Sequence, residues 1–63
     1  MKGIIVRYDV TKGYGFIAAK GLDGDVYFHE TKVTGNLNPA VRMRVEFEYE
    51  KTEKGLAATS VTT

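Results

Sequence analysis

Hydrophobic and polar positions alternate most regularly between Val41 and Glu50. There Val41, Met43, Val45, Phe47 and Tyr49 are interleaved with Arg42, Arg44, Glu46, Glu48 and Glu50. A period of two predicts a half-buried antiparallel strand, apolar residues inward and charges outward. Met1–Val10 is rich in β-formers and predicts a first strand. Its facing stays open, because Ile4, Ile5 and Val6 are consecutive and strict alternation cannot bury all three on one side. A bulge or burial on both faces would each resolve this. Lys12–Ile17, Asp25–Glu30 and Leu56–Val61 predict three further strands. Turn chemistry falls between them, at Val10–Gly13, Gly21–Gly24 and Lys51–Gly55. Thr31–Ala40 holds Thr34-Gly35-Asn36 and Asn38-Pro39, and predicts a loop with one short helical turn around Glu30–Val33.

Strand parity then sorts the aromatic residues. In Lys12-Gly13-Tyr14-Gly15-Phe16-Ile17 the two rings share one face, and Gly13, Gly15 and Ile17 share the other. In Asp25-Val26-Tyr27-Phe28-His29-Glu30, Val26 and Phe28 oppose Asp25, Tyr27 and His29. Antiparallel pairing of these two strands sends Ile17, Val26 and Phe28 to a core. It gathers Tyr14, Phe16, Tyr27 and His29 outside as four flat rings. The opposite facing would bury the rings, expose Ile17, Val26 and Phe28, and place His29 inside beside Asp25. Glycines beside exposed rings keep the surface open, and Lys12 adds a cation at the start of the strand. Rings beside a cation form a stacking platform for nucleic-acid bases.

Five short strands in 63 residues, without a long helix, repeat or linker, predict one all-β domain over residues 1–63. Closing the sheet into a small OB-type barrel removes adhesive edges, and such barrels bind oligonucleotides on their central strands. The chain has no cysteine, which excludes disulfides and thiolate metal sites and suits a reducing cytoplasm. No secretory signal and no membrane-spanning stretch is evident. Net charge is only +1, yet it is unevenly spread. Residues 1–45 carry seven basic side chains against four acidic ones, and residues 46–63 carry two against four. The first part can attract phosphates.

Taken together, these features resemble the cold-shock domain family over nearly the whole chain. Lys12–Ile17 resembles the family's first ribonucleoprotein motif, KGFGFI, and Asp25–His29 its second, DVFVH. Gly3, Arg44–Phe47, Lys54-Gly55, Ala58 and Val61 resemble the flanking and closing strands. The resemblance implies a five-stranded antiparallel Greek-key β-barrel of the OB-fold that binds single-stranded RNA or DNA. It implies binding roles for Lys12, Tyr14, Phe16, Tyr27 and His29, the residues that parity also selects. The chain departs from the family at four places. Arg7-Tyr8 stands where Trp-Phe is usual, and Glu30 where phenylalanine follows the motif histidine. Ile4 and Val6 replace lysines, and Thr34–Ala40 is short and lacks the usual Gly-Phe. Arg7 can compensate in part by stacking its guanidinium plane on a base. Tyr8 keeps its aromatic character, mostly packed into the barrel.

The expected function is a non-enzymatic RNA chaperone, monomeric and cytoplasmic, with Arg7 and Tyr8 added to the five binding residues. It would need no metal, cofactor or small-molecule substrate. The alternative is a protein-interaction module on the same barrel, favoured by the missing tryptophan, Glu30 and the low net charge. An enzyme is not expected, because His29 is the only histidine and no nucleophile, base and orienting group fall together.

Overall fold

The computed structural model describes residues 1–34 and 38–62. Among the described residues five strands are present: β1 (Lys2–Asp9), β2 (Tyr14–Ala18), β3 (Val26–His29), β4 (Arg44–Thr52) and β5 (Gly55–Thr62). They close into a barrel in the order β1-β2-β3-β5-β4. All neighbouring pairs are antiparallel except β3 and β5, which run parallel through Val26↔Leu56 and Tyr27↔Ala57. The fold is therefore all-β and OB-like, as the strand count predicts. The short helical turn is a 3₁₀ turn at Glu30–Lys32. Beyond it, Thr34 N–H donates to Val61 O at 2.9 Å, tying the connection to β5. The predicted Gly35-Asn36 turn lies outside the described residues.

Inward positions of all five strands supply the core: Ile5, Ile17, Val26, Phe28, Val45, Phe47, Ala58 and Val61. Burying a side chain of this size stabilises by about 1.5–3 kcal/mol relative to exposure. Seven side chains of that size, with the smaller Ala58, oppose the conformational entropy of the chain.

The three consecutive apolar residues of β1 are resolved by a bulge. Ile5 pairs with Ile17 and Arg7 with Phe16, so Val6 is the extra residue. Ile5 is fully buried, whereas Ile4 and Val6 stay exposed. The bulge resets the parity of the strand. With strict alternation Arg7 would follow Ile5 into the core; here it lies outward beside Phe16, and Tyr8 turns inward opposite Gly15.

The alternating run at Val41–Glu50 is only partly a strand. β4 starts at Arg44 and extends to Thr52, leaving a two-residue loop before Gly55. Val41 and Arg42 form a turn, and Arg42 has φ 77°, outside the extended region. Its N–H donates to Ile5 O at 2.7 Å, and Ile5 N–H donates to Met43 O at 2.9 Å. These bonds hold the turn against β1 while Val41 faces solvent.

Candidate nucleic-acid interface

Outward positions of the neighbouring strands line up in rows across the sheet. One row is Arg7, Phe16, Tyr27 and Ala57, from β1, β2, β3 and β5. The next is Asp9, Tyr14 and His29. Three rings meet where the rows adjoin. Tyr14 and Phe16 lie 6.2 Å apart edge to face, Tyr14 and Tyr27 5.7 Å apart, and Phe16 and Tyr27 5.9 Å apart. Such edge and tilted contacts fit the ring quadrupoles and hold each ring in place. They leave ring faces available to a base.

Glycine beneath the rings has a definite cause. A Cβ on Gly15 would lie 2.3 Å from the Arg7 carbonyl oxygen and 2.9 Å from the Phe28 ring. Phe28 and β1 thus fill the space under the platform from inside. Gly13 has φ 74° and closes the β1–β2 turn, its N–H donating to Asp9 O at 2.8 Å. Lys12 sits exposed in that turn, and its backbone N–H donates to Asp9 Oδ1 at 3.1 Å. The Asp9 carboxylate is therefore occupied by the turn.

His29 is fixed by the 3₁₀ turn that follows it. Thr31 N–H donates to His29 Nδ1 at 3.2 Å, and Thr31 Oγ1 lies 3.0 Å from the same nitrogen. A backbone N–H can only donate, so Nδ1 is the acceptor and Nε2 carries the ring proton. That leaves a donor at the end of the ring row.

Tyr8 stands apart from the three-ring contact but lines the groove beside it with Arg7 and Tyr14. Its ring stacks on buried Phe28, 6.0 Å away with 4° between planes, and so covers the barrel interior. Its O–H donates to Glu30 Oε2 at 3.5 Å. Burial raises the Tyr8 pKa above the ordinary phenol value, followed by the charge of Glu30, the hydrogen bond to it and the charge of Asp9. Glu30 also packs against Gly13, where an added Cβ would come within 2.9 Å of its carboxyl carbon. Glu30 is thus placed at the margin of the ring row and held there.

Two grooves flank the platform. A groove of about 420 Å³ runs along Val6, Arg7, Tyr8, Tyr14, Phe16 and Val41. Another of about 370 Å³ lies between Phe16, Tyr27, Thr52, Lys54 and Ala57. Val41 and Lys54 are additions to the residues expected from the sequence. Val41 was placed inward by the alternation. Lys54 arrives because the parallel β3–β5 pairing brings the β4–β5 loop beside Tyr27, and no local pattern encodes that pairing. Among the described residues no cluster of three or more potential metal ligands occurs. No helix among them is long and apolar enough to cross a membrane.

Comparison with known proteins points to one family. The family model described as 'Cold-shock' DNA-binding domain matches residues 1–63. The major cold shock protein of Micrococcus luteus is 39% identical over 62 residues, covering 95% of this chain and 92% of that protein. The cold shock-like protein CspC of Escherichia coli K12 is 36% identical over 64 aligned residues, covering 98% and 93%. The cold shock-like protein CspD of Haemophilus influenzae is 33% identical over 61 residues, covering 94% and 85%.

Proposed function

The chain belongs to the 'Cold-shock' DNA-binding domain family, and from that premise we propose that it binds single-stranded RNA or DNA by base stacking. The observation that carries this is the three-ring contact of Tyr14, Phe16 and Tyr27 on one open face. His29 continues the row, and Arg7 and Lys12 supply positive charge at its edges. Each base stacked on an aromatic is worth about 1–3 kcal/mol. Opening a duplex costs on average about 1.4 kcal/mol per step. The two are comparable, so the protein acts as an RNA chaperone by holding marginal hairpins open through mass action. Neither nucleotide hydrolysis nor a cofactor enters this scheme, and a monomer in the cytoplasm suffices. Sequence preference is weak, because every base presents a π-face.

Titration of a single-stranded oligomer and of a duplex of the same length, at two salt concentrations, tests this. The single strand should bind more tightly, and its affinity should fall steeply with salt. A weak RNA hairpin should melt at lower temperature as protein is added. Equal affinity for both forms, or no change in hairpin melting, would sink the proposal. Exposed Val6 and Val41 beside Arg7 favour a second reading, a protein-interaction surface. Binding of a partner through that apolar rim would be little affected by salt.

A further inference from the structure

The row beyond the rings is also built to receive a ligand. Two residues after Phe16, Ala18 continues the outward row of β2, about 7 Å further along the strand. Ala18 pairs with Ile4 of β1, and Ile4 pairs with Arg44 of β4. This third row forms the floor of a groove of about 620 Å³, larger than either groove beside the rings. Ile4, Ala18 and Ala19 make its base apolar, and Ile4 is 42% exposed. Lys2, Lys20 and Arg44 line it, against the single carboxylate of Glu46.

We propose that this groove is a second contact site for the same single strand, taking the sugar-phosphate backbone as it leaves the rings past Phe16. The inference rests on the stacking reading and extends it. An aliphatic floor cannot stack a base as a ring does, but Ile4 and Ala18 can pack against a ribose. Three cations in the lining suit phosphates, and all three are distinct from Arg7 and Lys12 at the rings. The side chains of Ala18 and Ala19 are small, so the groove floor beside Lys20 is not filled by them. The consequence is a longer footprint than the rings alone provide, with the added affinity electrostatic and independent of base identity.

A length series tests this. Single-stranded oligothymidylates of about four and about ten nucleotides fall within the range that OB-type sites cover. They are titrated against the unaltered chain, K20Q/R44Q, and K32Q/K51Q, which removes equal charge elsewhere. The unaltered chain and K32Q/K51Q should gain about tenfold from the shorter to the longer oligomer, and K20Q/R44Q less than about threefold, as expected for two lost phosphate contacts. For the longer oligomer, the slope of log affinity against log salt should shrink by about 1.4 in K20Q/R44Q beyond any change in the control. Amide shifts of Ile4, Ala18 and Lys20 should move with the longer oligomer only. Equal length gain in both doubles overturns the inference, and so do unmoved amides with the longer oligomer. Those results leave the ring reading standing. The ring reading fails separately if Phe16→Ala binds the short oligomer as well as the unaltered chain does. Failure of the unaltered chain to bind either oligomer overturns both.

Discussion

On β2 and β3 the outward positions hold Tyr14, Phe16, Tyr27 and His29; on β4 they hold Arg44, Glu46, Glu48 and Glu50. Both walls follow the same alternation, and both cover the same core. Beneath the rings, Gly15 lets Phe28 and the β1 backbone approach closely; beneath the carboxylates, Val45 and Phe47 fill the space themselves. Beyond Arg44, the carboxylates of Glu46, Glu48 and Glu50 are like-charged along one edge and disfavour phosphates. The ring wall is aromatic and bordered by Arg7 and Lys12. Period two decides which residues face out, and the residue types at those places decide what the wall can do.

The largest way to break this contrast is from below. Phe28→Ala removes the buried ring that supports Gly15 and Tyr8. Truncating a buried phenylalanine costs about 3–5 kcal/mol. A domain of this size rarely holds more than about 3–5 kcal/mol in total. The variant should therefore be largely unfolded at 25 °C, as read by circular dichroism and urea titration.

From above, Phe16→Ala should cost about 1–3 kcal/mol in affinity for a short oligomer. It should leave the urea midpoint far less changed than Phe28→Ala does. Glu48→Ala on the opposite wall should change affinity by less than about 0.5 kcal/mol, as is usual for surface substitutions. Similar losses at Phe16 and Glu48 would mean that the two walls do not differ in function.

A smaller effect concerns the margin of the ring wall. Glu30→Gln removes one negative charge beside Tyr8 and Gly13. Unit charges about 8 Å apart in water repel by about 0.5 kcal/mol, so affinity should rise roughly twofold at low salt. The gain should vanish at high salt, where the Debye length shortens to about 3 Å at 1 M. No gain at low salt would place Glu30 outside the reach of the ligand.

The smallest concerns pH. The Tyr8 phenol has a raised pKa in the folded chain, so the folded state holds this proton more tightly than the unfolded state does. Its contribution to stability is complete below the ordinary phenol value of about 10 and is lost as pH rises through the folded value. Tyr8→Phe should flatten this alkaline decline in stability. An unchanged decline would show that Tyr8 ionisation does not drive it.

The ring wall was legible in the sequence because it depends on parity within two short strands. Ile17, Val26 and Phe28 had to share a side, and the rings were left opposite. Arg7 was harder, because its facing depends on the bulge at Val6 rather than on any residue near it. Val41 was misplaced because alternation continues past the point where Arg42 leaves the extended region. The basic third row was not legible at all: Lys2, Lys20 and Arg44 come from separate strands and a turn, and only closure between β1 and β4 assembles them.

The parallel seam between β3 and β5 has a consequence for folding kinetics. β1–β2–β3 is a run of neighbours in sequence, and β4–β5 is a hairpin. Val26↔Leu56 and Tyr27↔Ala57 join them on that side, with the Val33↔Val61 bridge beyond. Closing a loop of about 30 residues costs about 3 kcal/mol by the logarithmic law. Both local units can form before that cost is met, and non-local pairings of this kind slow folding. The ring wall belongs to the first unit, so its geometry can be complete while the barrel is still open. Leu56→Ala, at the seam, should then speed unfolding in stopped-flow measurements and leave the refolding rate nearly unchanged. An equal slowing of refolding would place the seam in the nucleus instead.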